Sequence, residues 1–317
     1  MIRIGAESLW AATEKQGFWA RLADRMAMVL LEQAADQAAS SPRQIIRTSI
    51  GNGLGVMAAI AERPDTPIMG VKIVSLAQQT HQGGPSHPGA VILIDPASGE
   101  PQASLDADAV TAMRTAATTC AITRHVRPEA GRFTIIGTGT EARSHLLALS
   151  AAYPEARFTI WGRRPEAASE IAAKYTSEDI AVAVESDLTK ALRDADVITS
   201  LTAAGSPFLD MRHVEEAAHV NAIGASIPGL AEWAPESFRT VDVLICDTVA
   251  ECQRQSMEIP TDLLNSAYNA STILENRPWK GADRSYKRSV YKSVGSAVLD
   301  VAAGAFLIEQ VHSSRGI

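Results

Sequence analysis

The sequence predicts an α/β protein in two parts, a Rossmann-type doubly wound parallel sheet and a smaller α+β domain. Three observations predict it. From Phe133 onward short apolar runs alternate with helical stretches, as parallel strands joined by crossovers require. The first of these strands leads into its helix through Gly137-Thr138-Gly139-Thr140-Glu141-Ala142, a glycine-rich turn. Before Ala121 the pattern differs, with helices first and then short strands divided by Gly, Asn and Pro. The chain has 317 residues, 46% of them hydrophobic and 21% charged, enough to bury two cores without disulfides or metal.

Taken in order, Ala6 to Ala39 is rich in Ala, Leu, Met, Glu and Gln at three- and four-residue spacing, which reads as two helices broken at Gly17. Gln44–Ile50, Gly55–Ile60 and Val71–Leu76 read as strands of a small sheet. Ala77 to Gly89, with two histidines, three glycines and two prolines, reads as a loop beside a site. Val91–Ile94 returns to strand, Asp95-Pro96-Ala97-Ser98-Gly99 turns, and Asp106 caps a helix reaching His125. Strand Phe133–Ile136, helix Ala142–Ala152, strand Phe158–Trp161 and helix Pro165–Tyr175 follow, then strands near Val197, Val220 and Val243. The run from Ser293 to Gln310 reads as an amphipathic helix returning to the first domain. The expected division is 1–120 with 293–317, and 121–292.

Composition excludes several classes. With 29 basic and 36 acidic residues the net charge is −7, and no segment gathers the Lys and Arg that a nucleic-acid face needs. Cys120, Cys246 and Cys252 form no CxxC or Cys/His cluster, so neither a disulfide framework nor a metal site is expected. The start shows no basic segment followed by an apolar one, and the apolar run Ser296–Ile308 carries Asp300 and is too short to cross a bilayer. A cytoplasmic protein with no membrane partner is expected.

The glycines of the turn have a physical reason. One permits the tight bend, the next lets the backbone approach a pyrophosphate, and Ala142 keeps helix and strand close, with phosphate on the helix N-terminus. At the end of the following strand the chain reads Trp161-Gly162-Arg163-Arg164. No acid is present there for a ribose 2′-hydroxyl, and two guanidiniums suit a 2′-phosphate. NADP(H) is therefore favoured, with NAD(H) as the alternative.

Gly70-Val71-Lys72, Arg114-Thr115-Ala116-Ala117, Gly137-Thr138-Gly139, Asn221-Ala222-Ile223-Gly224-Ala225 and Ser293-Val294-Gly295 with Ala297 and Asp300 together resemble the ornithine cyclodeaminase/mu-crystallin family. The resemblance spans nearly the whole chain in order. It implies a first domain that binds a small amino or imino acid and forms a homodimer. It implies that Arg43, Lys72 and Arg114 hold the substrate carboxylate beside Met57 and Val294. It also implies that Thr115, Thr202 and Ile223-Gly224-Ala225 join the glycine-rich turn and Gly162-Arg163-Arg164 in holding the cofactor. Independently, Lys72 lies inside the apolar run Val71–Val74, where a cation needs an anionic partner; a ligand or an internal ion pair would serve. Arg114 is open to the same two readings, with Asp108 as an internal candidate.

His87, in Pro85-Ser86-His87-Pro88, resembles a family Ser-His and is a candidate proton donor. Trp233 is a candidate pocket wall or core residue. Where the cyclodeaminases carry an acid/base Asp after Asn-Ala-Ile-Gly, this chain has Ser226, a poor general base. The expected activity is therefore an NAD(P)H-dependent reduction of a cyclic imine carboxylate or related 2-imino or 2-oxo acid, with Lys72, Arg114, His87 and Ser226 nearest the chemistry. Ornithine cyclodeamination and non-catalytic binding of a small ligand are the alternatives.

Overall fold

Along Gly53–Ala61 the side chains alternate: Gly55, Met57, Ala59 and Ala61 are buried while Leu54, Ala58 and Ile60 are exposed. That is the mark of a strand in a sheet covered on one face. The computed structural model describes residues 1–47, 49, 52–63, 66–76, 88–177, 180–275, 286 and 288–315. Its chain divides into two units, Met1–Thr118 with Ser296–Ile317, and Thr119–Gly295.

In the first unit the chain runs through β1 (Ile2–Ile4), α1 (Ala6–Ala12), α2 (Phe18–Ala34), β2 (Ala38–Ser40), β3 (Gln44–Arg47), β4 (Gly53–Ala61), β5 (Ile68–Leu76), β6 (Gly89–Ile94), β7 (Pro101–Asp106) and the long helix α3 (Ala107–Val126), then regains the C-terminal helix α10 (Ala297–Arg315). The sheet order is β1-β7-β6-β5-β4-β2, with β3 also on β4. Only the β1–β7 pair is parallel among the described strands. Asp106 begins α3 as expected, its Oδ1 accepting the Ala109 N–H at 2.9 Å. The expectation of an amphipathic C-terminal helix is corrected. Ala297 to Gly304 is buried on every side, because α2 covers the flank of α10 that β4, β5 and β6 do not.

The second unit runs through β8 (Arg132–Ile136), α4 (Thr140–Ala152), β9 (Arg157–Trp161), α5 (Pro165–Tyr175), β10 (Ala181–Val184), α6 (Leu188–Arg193), β11 (Val197–Ser200), β12 (His219–Ala222), β13 (Val243–Cys246), α7 (Val249–Gln255), α8 (Thr261–Leu264), β14 (Tyr268–Asn269), α9 (Ala270–Leu274) and β15 (Ser289–Lys292). Its sheet is parallel throughout, in the order β10-β9-β8-β11-β12-β15-β13-β14. This is the doubly wound sheet that the alternation predicts. Strand β15, between β12 and β13, escaped the sequence reading because its four residues end in a lysine, which breaks the apolar run. No helix among the described residues is long and apolar enough to cross a membrane.

One polar network crosses the middle of this sheet. His219 on β12 bonds Ser289 Oγ through Nδ1 at 2.9 Å and Asn221 Oδ1 through Nε2 at 3.0 Å, and Asn221 Nδ2 donates to Thr123 at 3.1 Å and Thr199 at 3.2 Å. With only an acceptor at Asn221 Oδ1, Nε2 carries the proton and the neutral ring is satisfied on both sides. Burial, aided by the Arg127 charge, lowers the His219 pKa to about 3.

An unfolded histidine titrates near its ordinary 6.5, so between about 3 and 6.5 the unfolded chain binds more protons and stability falls as the pH is lowered. The loss across that window is on the order of 4 kcal/mol. Urea unfolding from pH 7 to pH 4 should reveal this slope. His219→Gln, less stable at pH 7, should flatten it; equal slopes in both proteins would show that His219 does not carry the effect.

Candidate functional site

At the carboxyl end of β8 the chain turns through Gly137 (φ 129°), a conformation closed to most side chains, with Gly137 N–H donating to Trp161 O at 2.9 Å. Thr138 and Gly139 complete the turn. Thr140, Glu141 and Ala142 form the first turn of α4, which has Gly139 at its cap and no side-chain capping bond. The Ala142 N–H donates back to Gly139 O at 3.1 Å, and a helix N-terminus after a glycine-rich turn is the ordinary place of a bound anion. Gly162 ends β9, followed by exposed Arg163 and by exposed Arg164 at the cap of α5.

Beyond β11 and β12 the backbone is held by a buried carboxylate. Glu232 Oε1 accepts the Thr202 N–H at 2.6 Å and the Thr202 hydroxyl at 2.8 Å; its Oε2 accepts Ser200 Oγ at 2.8 Å and Gly224 N–H at 2.9 Å. A side chain at 224 would put its Cβ 2.2 Å from Thr202 O, so only glycine lets the two ends meet. Ile223 and Ala225 are buried beside it. Ala225 O accepts Lys292 Nζ at 2.7 Å, and Ser226 N–H bonds Gly224 O at 3.1 Å. Asp247 Oδ2 gathers Ser293 Oγ, Val294 N–H and Gly295 N–H at 2.7–2.9 Å, and Asp247 Oδ1 accepts the Tyr291 hydroxyl. Trp233 is a core residue, fully buried, with its indole N–H on Ser200 Oγ at 2.9 Å.

The first unit holds a different cluster. Lys72 on β5 and Arg114 on α3 converge on one oxygen of Asp300 in α10, Lys72 Nζ at 3.0 Å and Arg114 Nε at 2.9 Å from Oδ1. Lys72 also donates to Thr111 Oγ1 at 2.6 Å. All three charged residues are buried, Asp300 completely. Burial lowers the Lys72 pKa, and the Arg114 charge adds to this against the pull of Asp300. Burial raises the Asp300 pKa, but Arg114 and Lys72 more than offset it and hold the carboxyl below its ordinary range. Met57 faces Lys72 across the β4–β5 pair and is buried. Arg43 is half-buried before β3, and its charge reaches Lys72. Thr115 Oγ1 donates to Thr111 O at 2.7 Å.

The structure thus brings Lys72 and Arg114 together. It shows that Asp300 is an internal anion between them. His87 lies outside the described residues. Sequence reasoning assigned no role to Asp300, Glu232, Glu258, Lys292 or Asp247. The signal applied to Lys72, a charge inside an apolar run, was also present at Asp300 in Val298-Leu299-Asp300-Val301 and at Lys292 in Val290-Tyr291-Lys292.

Residues 9–315 match the model of the ornithine cyclodeaminase/mu-crystallin family. The chain belongs to this family. Among its family relatives, the rat (Rattus norvegicus) ketimine reductase mu-crystallin is 30% identical over 266 residues, 83% of this chain and 82% of that protein. The Delta(1)-pyrroline-2-carboxylate reductase of Bacillus cereus is 26% identical over 265 residues, 80% of each. The fold is shared with the Delta(1)-pyrroline-2-carboxylate reductase of Thermococcus litoralis, solved with NADH and L-proline, at a TM-score of 0.86 and 22% identity over 99% of this chain and 98% of that one.

Removing the charge of Asp300 would leave two cations buried without their shared anion. Asp300→Asn should therefore lower stability by about 3–5 kcal/mol at neutral pH. Urea unfolding measures it. A loss below about 1 kcal/mol, the range of an exposed pair, would contradict the buried triad.

Proposed function

We propose that this family member is an NAD(P)H-dependent reductase of a cyclic imine carboxylate or a related 2-imino or 2-oxo acid. The observation that carries the reading is the meeting of two buried cations: Lys72 and Arg114 converge on one oxygen of Asp300, and the Lys72 ammonium remains below its ordinary pKa despite that partner. A substrate carboxylate beside Lys72 and Arg114, within reach of the Arg43 charge, would be attracted by these cations and fix the C=N bond. The names of the rat and Bacillus cereus relatives support this class of substrate.

The glycine turn, the uncapped first turn of α4 and the absence of a carboxylate at 161–164 fit a dinucleotide, and Arg163 and Arg164 fit a 2′-phosphate. Thr138 to Ala142 would hold the pyrophosphate, and Thr202 with Ile223–Ala225 the other half. Bound there, the nicotinamide supplies the hydride for the imine carbon. The nitrogen takes up the released electron pair and a proton, from water or His87. Ser226 supplies no carboxylate, so the deprotonation that ornithine cyclodeamination requires has no base at that position.

We assign residues 1–120 with 293–317 to substrate binding and dimerisation, and 121–292 to the dinucleotide. We place the enzyme in the cytoplasm, with which its three buried cysteines, none of them in a disulfide, agree.

Purified protein given Delta(1)-pyrroline-2-carboxylate or the six-membered analogue should consume NADPH, followed by its near-ultraviolet absorbance. NADPH should bind roughly 10-fold or more tightly than NADH, the worth of one charge-assisted contact. Ornithine with NAD should give neither proline nor ammonia. Proline and ammonia from ornithine would establish the lyase instead, and binding of imine acids without turnover a carrier.

The homodimer has its own support in the face of the first unit's sheet turned away from α10. Val56 with Ile73, and Val71 with Ile92, stand in register on that face, flanked by exposed Leu54 and Ile60. A second copy would cover this apolar ladder. Sedimentation should give twice the 33.7 kDa chain mass, and Val71→Glu should give monomer. A monomeric unmodified protein at micromolar concentration would end the dimer reading.

A further inference from the structure

In the second unit's sheet the chain leaves β8 toward β9 and β10, then returns to place β11 and β12 on the other side. Strand order therefore reverses between β8 and β11, and in open parallel sheets a dinucleotide lies outside the carboxyl ends of the strands at such a point. Its adenosine half belongs at the end of β9, with Gly162, Arg163 and Arg164. Its nicotinamide half then falls over the ends of β11 and β12, at Thr202 and Gly224.

Those two ends are not held by the sheet alone. Regular pairing stops at Ser200 and Ala222; past it the Ile223 and Gly224 N–H groups still reach Ser200 O at 3.1 and 3.0 Å, and Glu232 adds a second fastening, from the Thr202 N–H and from the same Gly224 N–H. The circuit closes on itself. Glu258 Oε2 accepts the N–H of Glu232 at 2.8 Å and of Trp233 at 3.2 Å, Glu258 Oε1 pairs with Lys292 Nζ at 2.6 Å, and Lys292 Nζ donates to Ala225 O. Glu232, Glu258 and Lys292 have no exposure to solvent. Both hydrogen-bond donors of Thr202 and the N–H of Gly224 are committed to Glu232, so these residues act on a ligand through backbone position and acceptors.

Building on the dinucleotide reading above, we propose that Glu232 is a positioning residue for the nicotinamide half of the cofactor, setting the separation of the β11 and β12 ends against which that half rests. The carboxylate suits this task because all four of its partners point hydrogens at it. In Glu232→Gln an amide NH₂ replaces one oxygen and confronts two of those donors, forcing the ends apart. The Arg163–Arg164 end, on β9, has no bond to this circuit among the described residues.

The test compares intact NADPH with 2′-phospho-ADP-ribose, the same molecule without nicotinamide, by calorimetry on the full chain, with thermal unfolding alongside. In Glu232→Gln, NADPH affinity should fall about 10- to 100-fold, the scale of an ångström-size misplacement, while 2′-phospho-ADP-ribose stays within about twofold, as for an independent site. Should Glu232→Gln fail to fold, Thr202→Val removes one donor to the same carboxylate and should show the same selectivity at smaller size. Equal weakening of both ligands would overturn the proposal in favour of a general structural role, and unchanged NADPH binding would overturn it outright. Unmodified protein that binds neither ligand would remove the dinucleotide reading itself, a result visible before any variant is made.

Discussion

Asp300 has no exposure to water, and two cations meet on one of its oxygens. A buried carboxylate is tolerable only where opposite charge is fixed beside it, so the elements carrying Lys72 and Arg114 cannot shift without stranding a charge. This constrains the register of β5. Lys72 stands opposite Met57 and Val91 on the covered face, and a slip of one residue would carry it to the open face with Val71 in its place. It also fits the burial of Ala297 to Gly304 on every side: this half of α10 brings the anion to the middle of the layers.

The two units solve the problem of a buried carboxylate in different ways. Asp300 is matched by full charges, and Lys72 and Arg114 hold its pKa down against burial. Glu232 is matched chiefly by dipoles, from two backbone N–H groups and two hydroxyls, and burial prevails, leaving its pKa raised. Full charges tie the first cluster together by strong attraction between β5, α3 and α10. Dipoles give the second cluster fixed geometry with little field left over, which suits a support better than a ligand site.

Much of this was legible in the sequence. The alternation after Arg132 predicted a parallel doubly wound sheet because crossover helices leave a period that short strands do not obscure. The turn at Gly137 was legible because glycines mark backbone that other residues cannot adopt. Lys72 was legible as a buried charge, but its partner was not, since Asp300 lies 228 residues away and only the folded chain brings the two together. The character of α10 was misread for a related reason. A helix covered by a sheet on one flank and by α2 on the other needs no polar face, and its sequence alone does not reveal the second cover. Glu232 carried no signal, because its partners are two main-chain N–H groups, which every sequence has everywhere, and two hydroxyls of ordinary Ser and Thr residues.

The position of α10 has a consequence for how the protein is made. The first unit opens at Met1 yet is completed only by Ser296–Ile317, after all of the second unit has been synthesised. Until the final turns emerge, the inward faces of β4, β5 and β6 and the apolar stripe of α2 lack their cover, and Lys72 and Arg114 lack Asp300. The second unit is continuous in sequence and is free to close first on the ribosome. A chain that stops short of α10 is therefore left with a finished half and an open sheet, an edge-rich apolar surface of the kind that aggregates, which makes α10 the checkpoint for the fold of the first unit.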